Sequence, residues 1–374
     1  MQLSVIILNY NVRYFLEQCV LSVQKALEGI DGEIIVIDNA SSDDSCEMMK
    51  TKFPNIKLIE NKDNLGFPKG NNIGVAQAKG EYICILNPDT VVAEDTFFKI
   101  LNSQLPTRNS QLGIIGCKLI DGAGNFLPES KRGVPTPWVA FTKIFGLYKI
   151  SSYFGKYYAQ HLAENESGKV DILVGAFMIM KRELYLEVGG FDEDCFMYSD
   201  DIDLSYLVLK TGKSNHYFHE TSVIHYKGES TVRDGTYMKR FREAMQFFYK
   251  KHFKKSWFFD VMMQVGSFVF SLLKKNQQKN EVRNIDEYIV FSRENLELNL
   301  SKKATYLADF NQFVNQPQKN IEIIFDTTTF SFAEIITFMQ SNKSKNLSFK
   351  NYISSSNYLI GSNNSNDRGQ IILL

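Results

Sequence analysis

The alternation of buried strands with helices at the start of the chain most constrains its fold. Strand-like apolar runs lie at residues 3–8, 33–37, 56–60 and 82–86. Segments whose apolar residues have helical spacing separate these runs. Because parallel strands need long crossover connections, usually helices, this order predicts an α/β fold with a Rossmann-like, mostly parallel sheet flanked by helices.

Polar side chains follow three of the predicted strands at the point where each ends. Asn9 follows the first strand, Asp38 follows the second, and Asn87 and Asp89 follow the fourth. Open α/β sheets bind ligands at this edge, so the pattern predicts a nucleotide site. Asp38 suits a hydrogen bond to a base or a ribose hydroxyl, or equally a cap on the helix that follows.

Two further stretches of the same half suit phosphate chemistry. Asp89 is a hard oxygen ligand for Mg²⁺ or Mn²⁺ carrying a diphosphate, although Asn-Pro-Asp is also ordinary turn chemistry. The loop containing Asn64, Gly66 and Asn71 offers backbone N–H groups and a helix start to a phosphate or a sugar hydroxyl. It lacks the glycine-rich patterns of dehydrogenases and P-loop enzymes, which disfavours both classes.

The most acidic stretch of the chain opens a predicted helix at residues 200–210. Helical spacing puts Asp200 and Asp203 on one face, where they resemble a capping pair. Asp201 is then left to point into a cleft and accept a proton from a hydroxyl, the alternative being a solvated acidic helix start. His225 ends a short apolar strand and suits either a metal or diphosphate contact or an ordinary hydrogen bond.

Later segments carry weaker signals. Residues 128–168 lose periodicity and are rich in aromatic side chains, which suits a lid or partner surface as well as a packed helical insertion. Residues 256–273 are almost wholly apolar and flanked by lysines. This pattern favours an interfacial helix on an anionic membrane surface over a helix packed on the protein or at a dimer seam.

Composition excludes several classes of protein. The chain has 42 basic and 42 acidic residues, so no global charge argues for nucleic-acid binding. Its five cysteines are scattered and never form a Cys-x-x-Cys pair, which favours a reducing cytoplasm over a disulfide framework or zinc site. We expect no signal peptide, because no basic region precedes a long apolar one.

The order of the motifs carries a family resemblance over residues 3–250. The motifs are Ser4–Asn11, Val36–Asp43, Asn64–Phe67 with Gly70–Asn72, Asn87–Asp89, Gly189–Asp192, Asp200–Leu204 and His225–Ser230. Together they resemble the inverting family-2 glycosyltransferases of the GT-A fold, nearest to the rhamnosyltransferase-like branch of bacterial surface-polysaccharide enzymes.

The resemblance implies a role for each matching residue. Asn9 and Asp38 match nucleotide-binding residues, and Asp89 matches the last carboxylate of a metal-binding Asp-x-Asp motif. Asp201 matches the catalytic base, and His225 matches a histidine near the metal and the diphosphate. By the same resemblance Asn64, Gly66, Asn71 and Asn87 complete the nucleotide-sugar site.

Three positions depart from the family pattern. Asn87 stands where Asp-x-Asp has its first acid, and Asp200 stands where the base pair has a glutamate. The arginine usual soon after that pair is absent, with Leu207 near its place. The strength of metal binding and one diphosphate or packing contact are therefore in question.

The implied function is inverting, metal-dependent transfer of a sugar from a dTDP- or UDP-type donor. The acceptor would be a hydroxyl of a saccharide or a lipid-linked saccharide, with the enzyme cytoplasmic and peripheral on the inner face of the plasma membrane. The alternatives are a nucleotidyltransferase and a catalytically silent sugar-nucleotide-binding protein.

The resemblance and the patterns along the chain together set the expected domain boundaries. The GT-A domain spans 1–252, divided into a nucleotide-sugar half (1–127), the aromatic insertion (128–169) and an acceptor half (170–252). A membrane-surface helical segment at 253–300 and a small α/β appendix at 301–374 follow.

Overall fold

The computed structural model describes residues 1–103, 111–227, 235–253, 283–363 and 369–374. The helices are α1 (Arg13–Ala26), α2 (Ser45–Lys52), α3 (Gly66–Ala76), α4 (Thr96–Leu101), α5 (Pro137–Ile144), α6 (Arg182–Glu187), α7 (Asp200–Lys210), α8 (Gly235–His252) and α9 (Phe332–Ser341). The strands are β1 (Leu3–Asn9), β2 (Gly32–Asp38), β3 (Lys57–Glu60), β4 (Tyr82–Leu86), β5 (Thr90–Val92), β6 (Leu112–Ile120), β7 (Gly168–Val170), β8 (Phe177–Lys181), β9 (Ser214–His225), β10 (Glu287–Phe291), β11 (Ala304–Leu307), β12 (Ile321–Asp326), β13 (Leu347–Ile353), β14 (Tyr358–Gly361) and β15 (Gln370–Leu373).

The first sheet has the strand order β3-β2-β1-β4-β8-β6-β9-β5, with β7 paired to β9. Strands β3, β2, β1 and β4 are parallel to one another, as the alternating pattern predicts. Antiparallel pairs of β4 with β8 and of β8 with β6 extend this parallel half. The α/β prediction is confirmed.

Burial on both faces explains why β1 is continuously apolar. Val5 and Ile7 pack into the core cluster that holds the α1 side chains Leu16 and Val20. Ile6 packs in the core cluster on the other face of the sheet, together with Val75 of α3. Successive residues of a strand point to opposite faces, so a strand with helices on both sides needs apolar residues at every position.

The antiparallel half differs locally from the prediction. The short apolar strand predicted to end at His225 is part of one long strand, β9, whose pairing with β6 shifts in register. The three-residue β5 was not expected. It pairs antiparallel with the end of β9, so that Thr90 lies opposite His225. This pairing brings the two strand ends that carry Asp89 and His225 together.

A second sheet, ordered β11-β10-β12-β13-β14-β15, forms the appendix. The expected helical segment at 253–300 is wrong for residues 287–291, which form β10 between β11 and β12. Four of the five residues of β10 are buried, so it is a core strand in spite of its polar surroundings. The apolar stretch at 256–273 lies outside the described residues. None of the helices within the described ranges is long and apolar enough to cross a membrane.

The appendix packs directly on the first sheet. Phe15 and Tyr226 share one core cluster with apolar side chains of β10 and β12. Asn351, at the end of β13, donates a hydrogen bond of 3.3 Å to the hydroxyl of Tyr226. The Glu94 carboxylate accepts bonds of 2.8 and 2.9 Å from the first two backbone N–H groups of α9, at Phe332 and Ala333. A carboxylate at a helix N-terminus satisfies otherwise unpaired N–H groups and is favoured by the helix dipole.

Candidate active site

The expected nucleotide residues lie side by side at the carboxyl ends of β1 and β2. Asn9 is opposite Asp38 in the strand register, and its Nδ2 donates to Asp38 Oδ1 at 2.7 Å. Asp38 also accepts from the backbone N–H and the hydroxyl of Ser41, at 2.8 and 2.6 Å. It therefore orders the turn after β2 and does not cap α2, whose first N–H group, at Ser45, bonds to Asp43. Asn9 Oδ1 is buried and has no hydrogen-bond partner among the described residues.

The loop before α3 is fixed by short-range hydrogen bonds and one close packing contact. Asn64 Oδ1 accepts from the N–H of Gly66 at 3.0 Å and from Asn39 Nδ2 at 3.3 Å. Gly66 has a φ of +80°, and a Cβ there would lie 2.8 Å from Phe196 of the acidic stretch. Only glycine accommodates both this backbone and this contact. Asn71 bonds to the Phe67 carbonyl, and its Oδ1 is buried with no partner in the described part of the chain.

A second corner of the site contains Asn87, Asp89 and His225. The imidazole Nε2 of His225 lies 3.4 Å from Asp89 Oδ1 and 3.4 Å from Asn87 Nδ2. Asp89 and His225 are both buried. Asn87 Oδ1 and His225 Nδ1 are buried and unpaired within the described ranges. Unpaired buried polar atoms are costly, so this corner suits a ligand that supplies the missing contacts.

The donor set at this corner fits a divalent cation that arrives with phosphate oxygens. One carboxylate, one imidazole and one amide group are near each other, and it is the amide nitrogen of Asn87 that faces His225. The described residues hold no cluster of three or more His, Cys, Asp or Glu side chains that could bind a metal. Mg²⁺ and Mn²⁺ are commonly held by one or two carboxylates plus substrate phosphates. The residues present therefore fit a metal shared with a diphosphate better than a metal held by protein alone.

The third corner is centred on Asp201, in the first turn of α7. Arg132 Nη2 lies 2.5 Å from Asp201 Oδ2, and the N–H of Gly175 donates to the same oxygen at 3.1 Å. Arg132 also donates to the Leu173 carbonyl at 3.0 Å. Arg132 and Asp201 are 8% and 9% exposed, so the ion pair is largely withdrawn from water. Asp201 is therefore held by an arginine from the aromatic insertion and is not the unpaired side chain that helical spacing suggested.

The neighbouring carboxylates are not the predicted capping pair. Asp203 is fully buried and pairs with Lys251 at 2.8 Å and with His252 Nε2 at 2.5 Å, which ties α7 to the end of α8. Ser199 is the N-cap residue and makes no side-chain cap bond. Burial and the adjacent charge of Asp201 raise the pKa of the Asp200 carboxyl to about 7. Two neighbouring carboxyl groups with different partners can take different protonation states.

A short backbone connection joins the metal corner to the Asp201 corner. The Asn87 N–H donates to the Ala176 carbonyl at 3.1 Å, while the N–H of the preceding Gly175 donates to Asp201. At Gly175, a Cβ would lie 3.4 Å from the Cβ of Asp201 and 3.5 Å from the Phe67 ring. Three corners predicted from separate motifs thus converge on one edge of the sheet.

Sequence reasoning missed Arg132 and the side chains behind it. Arg132 is 69 residues from Asp201 in the chain, so no local spacing rule pairs them. Burial raises the pKa of the Tyr157 phenol, but the nearby charges of Lys143 and Arg132 lower it more, and the net shift is downward. Lys143 Nζ lies 3.5 Å from the centre of the Tyr157 ring. The basic run at residues 131–132 was a visible signal, although nothing in the sequence connected it to the acidic stretch.

Comparison with known proteins identifies relatives with glycosyltransferase names. The N-acetylglucosaminyl-diphospho-decaprenol L-rhamnosyltransferase of Mycobacterium tuberculosis is 26% identical over 243 residues, covering 62% of this chain and 78% of that protein. The rhamnosyltransferase WbbL of Escherichia coli is 29% identical over 174 residues, covering 43% and 61%. Among solved structures, the mannosyltransferase PcManGT of Pyrobaculum calidifontis, in complex with GDP-Man and Mn²⁺, is 18% identical, with a TM-score of 0.47 and coverage of 72% and 69%.

A family profile also matches the chain. The profile described as Glycosyl transferase family 2 matches residues 4–203, which is more than half of the chain. The matched region contains Asn9, Asp38, Asp89 and Asp201, the residues that the fold gathers at one edge of the sheet. The chain therefore belongs to glycosyl transferase family 2.

Proposed function

We propose that this glycosyltransferase moves a sugar from a nucleotide-diphosphate donor, of dTDP or UDP type, to a hydroxyl of a saccharide or lipid-linked acceptor with inversion. The observation that carries the proposal is the buried Asp201 carboxylate, held by Arg132 and the Gly175 N–H beside the Asn87–Asp89 strand end. A carboxylate that is held in place at this position suits a general base. The lipid-linked acceptor is suggested by the name of the mycobacterial relative.

In the proposed reaction, Asp201 takes the proton of the acceptor hydroxyl as its oxygen attacks the anomeric carbon. The new bond forms on the face opposite the diphosphate, whose bond to the anomeric carbon breaks, so the configuration inverts. Arg132 holds the base in one orientation before the acceptor arrives. Asn9 and Asp38 bind the nucleoside, with Asn64, Gly66 and Asn71 shaping the loop beside it.

The departing diphosphate needs its charge neutralised. Asp89, His225 and the unpaired Oδ1 of Asn87 would hold a divalent cation, Mg²⁺ or Mn²⁺, which when bound supplies that neutralisation as a Lewis acid. Asn87 contributes an amide oxygen where the family motif has a carboxylate. We therefore expect metal affinity to depend strongly on the presence of the nucleotide-diphosphate sugar.

The base assignment is tested by Asp201→Asn. Removing a general base costs about 10²–10⁴ in rate, so we expect turnover to fall by that factor while donor binding is retained. Donor binding is measured by thermal shift with a panel of nucleotide-diphosphate sugars and Mn²⁺. Asp192→Asn is the matched control, because Asp192 is a partly exposed carboxylate of the same acidic stretch that pairs with Lys251.

Two outcomes would contradict the proposal. An Asp201→Asn enzyme that keeps most of its rate would remove Asp201 as the base. A wild-type protein that binds donors but neither transfers nor hydrolyses them in a mixed acceptor screen would favour a silent sugar-nucleotide-binding protein. A cytoplasmic position at the inner face of the plasma membrane belongs to the same proposal.

A further inference from the structure

The central part of the aromatic insertion, residues 131–163, has an unusual charge pattern in a chain of zero net charge. The three acidic residues of the insertion, Glu129, Glu164 and Glu166, lie outside this part. Residues 131–163 contain eight aromatic side chains and no acidic one. The same residues carry five cationic side chains, at Lys131, Arg132, Lys143, Lys149 and Lys156. Positive charge and aromatic area are therefore concentrated in one segment.

The inner side of the insertion is fixed to the domain. Lys131 Nζ donates to the carbonyls of Tyr158, Ala159 and Leu162 at 3.3, 3.1 and 2.7 Å. The Gly133 N–H donates to the Tyr157 carbonyl at 3.2 Å, and Arg132 pairs with Asp201. The insertion is thus a built part of the domain, and two of its cations are used internally.

Its outer side exposes a connected group of aromatic rings. Trp138 is 57% exposed, Phe145 49% and Tyr153 78%. Phe141 stacks on Trp138 at 5.5 Å and contacts Phe145 at 4.5 Å, while Phe154 lies 6.4 Å from Trp138 and 5.2 Å from Tyr153, all between ring centres. These contacts show that the exposed rings form one continuous patch.

Nearby side chains complete this surface. Ile150 is 78% exposed, and Lys149 and Lys156 are also exposed. Among the residues that the structure describes, four of the twelve exposed large apolar or aromatic side chains fall within residues 138–153. A protein in water rarely concentrates such side chains without a partner for them.

We propose that this insertion surface, formed by Trp138, Phe145, Ile150 and Tyr153 together with the exposed lysines, docks on an anionic lipid membrane. Charge complementarity supports this occupant, because the exposed Lys149 and Lys156 match a negatively charged leaflet and residues 131–163 bring no carboxylate to the surface. Tryptophan and tyrosine suit the boundary between lipid headgroups and acyl chains, and lysine stems extend apolar contact while their ammonium groups stay in water.

Docking on a membrane would give the insertion a role at the Asp201 corner of the site. Its outer side lies on the lipid while its inner side carries Arg132 and Tyr157 towards Asp201, so the hydroxyl of a lipid-linked acceptor is presented near the base. In this respect it rests on the proposed function. Membrane binding is measured without turnover, so failure of the docking surface and failure of the transferase proposal give different results.

The test is co-sedimentation of the full chain with vesicles of phosphatidylcholine alone or mixed with phosphatidylglycerol. We expect binding to the mixed vesicles that weakens with added salt. Lys149→Gln with Lys156→Gln should weaken binding about fivefold for each lysine lost. Trp138→Ser with Tyr153→Ser should weaken it about tenfold, because two aromatic side chains no longer leave water.

Matched controls alter similar side chains elsewhere. Phe98 is 61% exposed on α4, and Phe98→Ser should bind vesicles as the wild type does. Lys302→Gln with Lys303→Gln removes two exposed lysines from the appendix and should also leave binding unchanged. Thermal unfolding and donor binding of every variant establish that each is folded.

Four results would overturn the proposal. The first is a wild type that does not bind mixed vesicles, and the second is insertion variants that bind as the wild type does. The third is control variants that lose binding as much as the insertion variants. The fourth is a wild type that forms a dimer and does not bind vesicles, and whose Trp138 and Tyr153 variant is a monomer. The last result would assign the surface to a second copy of the chain. The lysine variant tests the idea even if the aromatic variant fails to fold.

Discussion

Replacing Arg132 by glutamine tests how the structure holds the proposed base in place. The substitution removes the guanidinium 2.5 Å from the Asp201 carboxylate and leaves the Gly175 N–H at 3.1 Å as a remaining donor. For charge centres about 4 Å apart, an effective dielectric constant of 20 gives an attraction of about 4 kcal/mol. Desolvation of both groups offsets part of this attraction.

The expected net effect is a loss of both stability and turnover. Removing one partner of a buried ion pair typically costs about 3–5 kcal/mol, because the other charge is left buried and uncompensated. Asp201 would keep the Gly175 N–H as a donor but would lose the contact that holds its carboxylate in one orientation. Arg132→Gln should therefore unfold at a lower urea concentration and turn over about 10²-fold more slowly, while donor binding is retained.

The assay is urea unfolding together with kcat and kcat/KM measured with one donor and one acceptor. Arg132→Lys is the control, because it keeps a positive charge while losing the planar fork that reaches both Asp201 and the Leu173 carbonyl. Its stability should stay closer to that of the wild type. An Arg132→Gln variant with wild-type stability and a large loss of rate would refute the reasoning and would favour a direct contact of Arg132 with the substrate.

Three further predictions concern the other corners and the appendix. Burial, and to a smaller extent the charge of Asp201, raises the pKa of Asp200 to about 7. The folded state therefore holds this proton more tightly than the unfolded chain does, and the resulting stability is lost as the pH rises from about 4 through 7. Relative to wild type, Asp200→Asn should gain up to roughly 4 kcal/mol of stability at pH 8 but little at pH 4, measured by urea unfolding. Asp89→Asn should abolish the extra thermal stabilisation that Mn²⁺ gives to the donor complex. The surface control Asp95→Asn should retain that stabilisation, and donor binding that is unchanged in chelator would count against a metal site. Glu94→Gln should weaken the contact at the start of α9 by about 1 kcal/mol, seen as faster amide exchange at Phe332 and Ala333 with unaltered exchange in β1.

The parallel half of the sheet was predictable because its signal is local. In β1 and β4, burial on both faces requires an unbroken apolar run, and the polar residue after each run marks the edge where ligands bind. Two strands escaped notice for opposite reasons. Strand β5 has only three residues and follows a turn. Strand β10 lies in a polar stretch of the sequence and is buried because other strands of the second sheet lie on both sides of it.

The acidic stretch shows that helical spacing does not predict the partners of a side chain. Helical periodicity correctly separates Asp201 from Asp203, but it does not identify the side chains that face each of them from other elements. Lys251 comes from the end of α8 and Arg132 from the insertion, both far from α7 in the chain. Whether a helix-start carboxylate caps, pairs or acts as a base depends on these long-range partners, which follow only from the assembled fold.

The two additions to the parallel sheet support different groups of the proposed reaction. The appendix contacts Tyr226, whose neighbour His225 lies against Asp89, while the insertion supplies Arg132 to Asp201. Inversion requires the proton acceptor and the diphosphate corner to act on opposite faces of one sugar. The position of Asp201 relative to Asp89 and His225 therefore matters more than how tightly the insertion or the appendix holds either group. The Gly175–Ala176 turn fixes that position, because its backbone bonds to Asp201 on one side and to Asn87 on the other. A methyl group at residue 175 would lie at ordinary contact distance from Asp201 and the Phe67 ring, so alanine should be tolerated there and only a larger side chain should displace Asp201.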